Sequence, residues 1–322
     1  MIYSFVLIPF IVTFSLIIFL TILANKYNII DKQDERKTHS GDIPLVGGLA
    51  IFFSLVICSF ILNLEPIVFS ILLASFFIVI IGFIDDVANI KVSTRFFFQI
   101  IATVYVISNN FSITNLGLYG NKIFYLYQFG YLFTIFSVLI LINAINFIDG
   151  IDGLSSSTVL IALIGLFTFS YFNDNNHHDY TLISIFFTSV FVFLIFNLGL
   201  IKNFKIFLGD SGSTFLGFFL AWILIYYAEK NFVHPALIIW TITLPCYDML
   251  RVIIKRSMLK INPLNPDRIH AHHVLLKIIN NEKLVLIILI LISFLFLILG
   301  GGVFYFFGPL FSILFFVILF FI

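Results

Sequence analysis

Five aspartates are the residues of this 322-residue chain best suited to chemistry, because each stands at the end of a long apolar run. They are Asp85, Asp86, Asp149, Asp152 and Asp210. Ionisable side chains in or near a membrane are costly and commonly mark a functional site. Carboxylates that converge without matching basic residues repel one another, and a hard divalent cation with oxygen ligands offsets that repulsion. The pattern therefore predicts a site for Mg²⁺ or Mn²⁺.

The segment NAINFIDGIDGL, at residues 143–154, contains two of these aspartates. Each is followed by glycine, and such a step breaks a helix and exposes backbone N–H groups that can hold phosphate oxygens. Asn143 and Asn146 are three residues apart on the helix that leads in, so they share one face. A simple turn would suffice for one Asp-Gly step. The repeat favours an anion-binding turn whose carboxylates hold a metal ion or sugar hydroxyls.

A second glycine-rich segment, FLGDSGSTFLG at residues 207–217, contains Asp210. Its serines and threonine predict the start of a helix, and a helix N-terminus attracts phosphate. An aspartate at this position can reach a metal ion or cap the helix, and the two roles are compatible.

The adjacent acids Asp85 and Asp86 end another apolar run, ahead of Lys91 and Arg95. Adjacent carboxylates repel each other, so a nearby cation is expected to stabilise the pair. A solvated pair of acids at a helix end is the alternative.

Three histidines follow an arginine in NPLNPDRIHAHH, at residues 262–273. On a helix, His270 and His273 would share a face, whereas His270 and His272 would not. Three histidines suggest Zn²⁺, but the lack of nearby cysteines and the adjacent Arg268 favour contacts with phosphate or sugar. A structural loop is the third interpretation.

Two further patterns have structural explanations. Residues 31–48, DKQDERKTHSGDIPLVGG, form a basic loop that enters an apolar run at a kink containing Gly47 and Gly48. A basic anchor on the inner side of a membrane is the alternative to a binding role. Asp248 and Arg251 are three residues apart and predict an ion-paired face inside the protein.

The composition determines the kind of element that positions these residues. The chain is 61% hydrophobic and 10% charged, whereas a soluble domain is about half apolar and a quarter charged. Lipid must therefore be the solvent for most of it, and helices are the elements that satisfy the backbone there. The result is a single all-α membrane domain, residues 1–322, with about 11 transmembrane helices. The runs lie near 3–24, 45–62, 66–84, 96–108, 129–147, 154–172, 180–200, 211–228, 236–254, 284–300 and 303–321.

The basic residues predict the orientation. The first of them, Lys26, follows the first apolar run, which places the N-terminus outside. The C-terminus is then cytosolic, and 15 of the 17 lysines and arginines fall in cytosolic segments or at their helix ends. These segments are about 25–44, 85–95, 148–153, 201–210 and 255–283, with the C-terminus. All five aspartates would face the cytosol, and the chain shows no basic patch of the kind that binds nucleic acid.

Five motifs in this order resemble the bacterial polyprenyl-phosphate N-acetylhexosamine-1-phosphate transferases of glycosyltransferase family 4. They are DK…RK.H.G.IPLVGG, the DD pair, NA.N..DG.DGL, GD.GS and PDR.H.HH, spread over about residues 31–273. The resemblance implies transfer of HexNAc-1-phosphate from a UDP-sugar to undecaprenyl phosphate, with release of UMP. It implies Mg²⁺ dependence, with Mn²⁺ as a substitute, and a place in the bacterial inner membrane. The product would initiate a cell-surface glycan such as O-antigen or teichoic acid.

The resemblance also implies roles for residues. Asp85 and Asp86 match the pair on the lipid-phosphate side, and Asp149 and Asp152 match the acids near the nucleotide and diphosphate. Together with the patterns above, this predicts catalytic roles for Asp85, Asp86, Asp149, Asp152, His270 and His273. Substrate contacts are expected from Lys91, Asn143, Asn146, Arg268, His272, Gly47 and Gly48. The metal ion is expected at Asp210, with Asp85 or Asp149 as a further ligand.

Several alternatives stay open. The IPLVGG and HAHH variants resemble the GlcNAc-1-phosphate branch more than the phospho-N-acetylmuramoyl-pentapeptide branch. A lipid or sugar-nucleotide transporter would place ionisable residues near mid-span on broken helices, whereas these acids lie at one edge. A structural scaffold has no need for clustered aspartates. The apolar surface would permit a homodimer.

Overall fold

A computed structural model describes residues 3–27, 30–31, 43–88, 90–173, 180–202, 204–260 and 269–321. These ranges hold thirteen helices and two antiparallel two-stranded sheets. The helices are α1 (Ser4–Tyr27), α2 (Gly47–Ile61), α3 (Pro66–Ala88), α4 (Val92–Ser108), α5 (Phe129–Ile148), α6 (Leu154–Tyr171), α7 (Thr181–Asn197), α8 (Gly209–Glu229), α9 (Pro235–Thr241), α10 (Thr243–Met258), α11 (Ala271–Ile279), α12 (Glu282–Phe307) and α13 (Pro309–Phe321). The strands are β1 (Ile30–Asp31), β2 (Ile43–Pro44), β3 (Asn115–Tyr119) and β4 (Lys122–Tyr125).

Every predicted apolar run coincides with a helix or a helix pair, and the chain is a multi-pass membrane protein. Six described helices are long and apolar enough to span a membrane, or seven when α9 and α10 are counted together. Four more, α2, α4, α7 and α13, are apolar but only 10–17 residues long. The prediction of eleven spans and the orientation therefore stay predictions.

Three details differ from the sequence prediction. The run near 236–254 is broken, with α9 and α10 bent by 75° relative to each other. The last two runs meet at Gly308, whose φ of +86° ends α12, rather than near residue 301. The connection between the runs near 96–108 and 129–147, for which the apolar pattern predicts no element, contains the hairpin β3–β4.

Helix α8 forms the centre of the bundle. All of its residues from Ser211 to Tyr227 are buried, and it packs against α2, α3 and α5. The amino end of α8 approaches its neighbours closely because they present glycine there. A Cβ on Gly48 of α2 would collide with the Cα of Gly212, and one on Gly82 of α3 with the Cα of Ser211.

The starts of α2 and α8 are joined by backbone hydrogen bonds. Phe207 N–H donates to the carbonyl of Pro44 at 2.9 Å, and Gly47 N–H donates to the carbonyl of Phe207 at 3.0 Å. Gly48 N–H donates to the carbonyl of Leu208 at 3.3 Å. The IPLVGG segment thus holds the residues that lead into α8.

Helix α11 lies over the ends of the helices around it. Its apolar residues Leu275, Leu276 and Ile279 pack on a small cluster that is separate from the main core. The cluster consists of Ile148, Ile151, Leu154, Leu244, Val285 and Leu289. The burial of this one apolar face docks a nine-residue helix that would be marginal alone.

Candidate active site

The ends of several helices meet at one end of the bundle, called here the aspartate end. It consists of the carboxyl ends of α3 and α5, the amino ends of α8 and α11, and the five aspartates at or beside them. Residues distant in sequence meet there, since Asp86 contacts α8 and Asn146 contacts Asp210. The structure therefore brings the predicted motifs together.

Asp86 holds the start of α8. Its carboxylate accepts hydrogen bonds from the backbone N–H of Asp210 at 2.6 Å and of Ser211 at 3.2 Å. Gly209, the residue before Asp210, has φ +74°, and a Cβ on it would be 2.7 Å from Asp86 Oδ2. Helix-terminal N–H groups lack partners within their own helix, and a carboxylate both satisfies them and complements the helix dipole. Asp86 is thus a cap supplied by another helix.

Asp210 is left free of the capping role that its position suggested. Its side chain is 41% exposed. The N-cap residue, Leu208, makes no capping hydrogen bond with its side chain, so the cap comes from Asp86. Asn146 donates to Asp210 Oδ1 at 2.8 Å and to the Ser213 hydroxyl at 2.8 Å. The asparagine orients the carboxylate, and Oδ2 faces the open side near Arg95, whose Nη1 is 3.8 Å away.

Arg95 is a site residue to which the sequence assigned no role. Its Nη1 donates to Asp85 Oδ2 at 2.6 Å, so one guanidinium lies between Asp85 and Asp210. Asp85 is buried and also accepts the N–H of Ile90 at 2.8 Å. A small pocket runs from this ion pair between α3, α4 and α8. Its lining is Ile78, Ile81, Gly82, Asp85, Arg95, Phe98, Gln99, Asp210 and Thr214.

The two glycine N–H groups of the Asp-Gly turn after α5 both donate hydrogen bonds. Gly150 N–H donates to the carbonyl of Ile148 at 2.8 Å, and Gly153 N–H donates to Asn197 Oδ1 at 2.7 Å. The expectation that both glycine N–H groups would be exposed for phosphate was wrong, because Ile148 and Asn197 already accept their hydrogen bonds. Asp152 pairs with Lys205 at 2.5 Å, and both side chains are about one-third exposed.

Asp149 lies just past the end of α5 and accepts the Ser155 hydroxyl at 2.6 Å. Asp149 is partly buried, so its carboxyl group is less solvated than one at the surface. This desolvation raises the pKa of Asp149 to about 7, with smaller contributions from the like charges of Asp210, Asp152 and Asp86. Its acidity thus differs from that of an ordinary surface aspartate.

The histidines are arranged differently from the helical prediction. His270 precedes α11 as its N-cap in an extended conformation, so helical spacing does not govern its direction. The rings of His270 and His272 stack with centroids 6.0 Å apart, and His272 and His273 are 4.1 Å apart. All three histidines therefore lie together.

His272 is buried against the Asp-Gly turn. A Cβ on Gly150 would collide with its Nε2, which shows how closely α11 approaches the turn. Burial, then the neighbouring His273 and His270, lowers the pKa of His272 to about 3. Its ring nitrogens have no hydrogen-bond partner within the residues that the structure describes. His272 is thus a neutral side chain at the contact between α11 and the Asp-Gly turn.

The remaining predicted residues lie elsewhere. Asn143 bonds to Gln99 Oε1 at 3.2 Å inside the helix bundle, and Lys91 is exposed at the N-cap of α4. Gly47 is buried against Phe193 and Phe207, and Gly48 is buried against α8, so packing accounts for both without a substrate. Arg268 lies outside the described residues.

A divalent cation fits the chemistry of the aspartate end. Among the described residues no group of three His, Cys, Asp or Glu side chains is already arranged as metal ligands. Mg²⁺ is commonly held by only one or two carboxylates, with substrate phosphates and water completing its shell. The exposed Asp210, with Asp149 or Asp85 nearby, has oxygens of the kind that Mg²⁺ would require.

A larger cavity of about 320 Å³ lies at the opposite end of the bundle. It is lined by the hairpin residues Gly117 and Leu118, by His234 and by aromatic residues that include Phe169 and Phe304. Among the residues that the structure describes, no carboxylate, lysine or arginine contributes to its lining. Its described lining thus differs from the aspartate end, where acids and an arginine meet.

Comparison with known proteins finds a match between residues 68–228 and the model of "Glycosyl transferase family 4". Three similar relatives are each named "Undecaprenyl-phosphate alpha-N-acetylglucosaminyl 1-phosphate transferase". The one from Haemophilus influenzae is 32% identical over 283 residues, 84% of this chain and 78% of the relative. Those from Yersinia pestis and Salmonella typhimurium are each 29% identical, covering 79% of this chain and 71% of the relative.

Proposed function

This chain belongs to glycosyl transferase family 4, and we propose that it transfers a HexNAc-1-phosphate from a UDP-sugar to undecaprenyl phosphate. GlcNAc-1-phosphate is the first candidate for the transferred group, because the relatives are named for it. The released product is UMP, and the lipid product initiates a cell-surface glycan such as O-antigen or teichoic acid. The observation that carries the proposal is the exposed Asp210 carboxylate, held by Asn146 beside Arg95.

The chemistry requires positioning and charge neutralisation more than covalent help. An oxygen of the lipid phosphate attacks the sugar-bearing phosphorus of the donor, and the bond from that phosphorus to the bridging oxygen breaks as UMP leaves. A phosphate monoester has its second pKa near about 6, so the nucleophile is largely dianionic at neutral pH without a general base. Direct displacement at phosphorus is therefore sufficient.

The donor diphosphate and the lipid phosphate are both anionic and repel each other, and different residues bind each of them. Asp210, with Asp149 or Asp85, would hold Mg²⁺, which would supply positive charge to neutralise the donor diphosphate. Arg95 binds the lipid phosphate on the side of the small pocket, whose apolar walls lead into the bundle. His270, His273 and Arg268 contact the donor, and Asp152 lies on the nucleotide side. Asp85 and Asp86 position these groups, and neither needs to act as a base.

The location of the site fits both substrates. UDP-sugars are cytosolic and the lipid phosphate lies at the headgroup plane, so the aspartate end is proposed to face the cytosol at the bacterial inner membrane. The same placement disfavours a transporter, because the acids lie at helix ends rather than at mid-span. A muramoyl-pentapeptide donor remains the alternative within the family.

A donor panel tests the proposal. Purified protein in detergent is given undecaprenyl phosphate, Mg²⁺ and each UDP-HexNAc in turn, and UMP and lipid product are measured. We expect release of UMP with at least one donor and its loss on chelation. Asp210→Asn should lower turnover by about 10²–10³-fold, since a group that stabilises developing charge is removed.

Glu65→Gln is the matched control. Glu65 is a carboxylate at the opposite end, paired with Lys230 at 3.2 Å, so its neutralisation should leave turnover unchanged. No UMP from any donor would favour the transporter, and full turnover with the metal chelated would overturn the role of Asp210. A muramoyl-pentapeptide donor used in preference to all HexNAc donors would establish the family alternative.

A further inference from the structure

Asp248 of α10 grips the start of α11. Its Oδ1 accepts the backbone N–H of Ala271 at 2.7 Å, and its Oδ2 lies 2.7 Å from Nδ1 of His270. Arg251, one turn further along α10, donates to Asp248 Oδ1 at 3.0 Å. The same Nη2 donates to the carbonyl of Ile269 at 2.5 Å. Three consecutive residues, 269–271, are thus held by two side chains of one helix.

This arrangement is more than the internal ion pair predicted from the spacing of Asp248 and Arg251. The Asp248 side chain is only 3% exposed, and a buried carboxylate is tolerated where several donors satisfy its oxygens. Two of the three donors belong to the segment that leads into α11 rather than to α10. The buried carboxylate of Asp248 therefore fixes His270 and the start of α11.

The hydrogen bond also determines the protonation of the imidazole. A carboxylate accepts but does not donate, so Nδ1 of His270 carries the hydrogen. Nε2 is then the nitrogen left to contact a substrate, on a side chain that is 7% exposed. A partner that fixes the tautomer and the ring orientation is the usual way in which proteins prepare a functional histidine.

We propose that Asp248 is a positioning residue that, with Arg251, holds His270 in one tautomer and one orientation for contact with the donor diphosphate. This inference rests on the proposed function, because it requires His270 to contact the substrate. Asp248 itself does not touch the reacting atoms. Its effect on turnover is transmitted through His270.

A double-mutant cycle separates this role from a purely structural one. We expect Asp248→Asn to lower kcat by about 10–100-fold, the usual cost of losing such a partner. We expect His270→Gln to lower kcat by at least as much. In the His270→Gln background, Asp248→Asn should then cost less than about twofold, because residues that act as a unit are not additive. Multiplicative effects, or full activity of His270→Gln, would overturn the proposal.

Hydrogen exchange provides a second measurement that needs no substrate. Asp248→Asn should speed exchange of the amides at the start of α11, with unchanged exchange in α8. Arg251→Lys retains the charge but loses the guanidinium hydrogen bond to the carbonyl of Ile269. It should also speed exchange at the start of α11, but by less. Lys255→Gln, an exposed change on the same helix, is the matched control.

The two measurements distinguish the inference from the proposed function. If the wild-type protein releases no UMP but Asp248→Asn speeds exchange at α11, the proposed function fails and the structural grip stands without its catalytic purpose. If exchange at α11 is unchanged in Asp248→Asn, the inference is wrong whatever the turnover.

Discussion

The amino ends of α8 and α11 are both capped by a carboxylate from another helix, but different contacts hold each of them in place. Each begins beside a carboxylate from another helix, Asp86 for α8 and Asp248 for α11. Asp86 accepts two backbone N–H groups, whereas Asp248 accepts one, together with two side chains. A helix N-terminus exposes unpaired donors and a partial positive charge, so an acid from a neighbouring helix suits both positions.

The difference lies in what surrounds each cap. The start of α8 is also fixed by backbone bonds to α2 and by the glycine contacts at Gly48 and Gly82. The start of α11 has no such backbone framework in the described residues and depends on side chains and on the contact of His272 with Gly150. The position of Asp210 therefore depends on packing, whereas that of His270 depends on charge and hydrogen bonding.

The packing of α8 can be broken most severely at Gly82. Gly82→Ala places a Cβ against the Cα of Ser211, and backbone atoms cannot rotate away as a side chain can. We expect the free energy of unfolding to fall by at least about 3 kcal/mol, the upper range for overpacking. Thermal unfolding in detergent measures the change. Gly302→Ala in α12, whose added Cβ has nothing within 4 Å, should leave stability unchanged or slightly raised; equal losses would refute the packing argument.

The second-largest loss of stability is expected from removal of the carboxylate that caps α8. Asp86→Ala leaves the N–H groups of Asp210 and Ser211 without their carboxylate, which should cost about 3 kcal/mol and speed hydrogen exchange at the start of α8. Gly209→Ala should reproduce the faster exchange with Asp86 intact, because an alanine at φ +74° is strained and would crowd Asp86. If Asp86→Ala abolished turnover with exchange unchanged, Asp86 would be a catalytic group rather than a cap.

The contact between α11 and the Asp-Gly turn should depend on pH. The unfolded chain protonates His272 below about pH 6.5, whereas the folded chain, with the pKa of His272 held to about 3, does not. The free energy of unfolding contributed by this residue is therefore present above pH 6.5 and is lost as the pH falls towards 3, by about 2 kcal/mol between pH 7 and pH 5. The charged or titratable neighbours are His270, His273 and Asp248.

Melting temperatures of the wild type and of His272→Gln across this range measure the effect. The variant should lose this part of the pH dependence, because glutamine does not titrate. An identical pH dependence in the two proteins would show that α11 does not require a neutral residue at this position.

The smallest effect is expected at the pair of Lys205 and Asp152. Both side chains are about one-third exposed, so Lys205→Ala should lower the free energy of unfolding by less than about 1 kcal/mol. Asn197→Ala is the informative contrast, because this buried side chain accepts from Gly153 N–H and donates to the carbonyl of Ile206 at 2.9 Å. A greater loss from Lys205→Ala than from Asn197→Ala would mean that the ion pair, not the amide, holds the turn.

The amino-acid sequence is enough to predict the helical membrane architecture, the positions of its apolar helices, the family and the grouping of the acids at helix ends. These properties depend on residues within a few turns of one another: a run of apolar side chains, a glycine after an aspartate, a serine at a helix start. The family follows from motifs in a fixed order, which also needs no coordinates. For the same reason the β3–β4 hairpin and the break between α9 and α10 went unpredicted, since neither alters the apolar pattern.

The contacts of each acid become evident only when the helices are packed together. Asp86 and the backbone of Asp210 are 124 positions apart, and Asp248 and His270 are 22 apart on different helices. Such pairings depend on how helices pack, and no local pattern encodes them. Hydrogen bonds and charges across helices thus separate five similar aspartates into a cap, partners of arginine, serine and lysine, and one carboxylate left exposed.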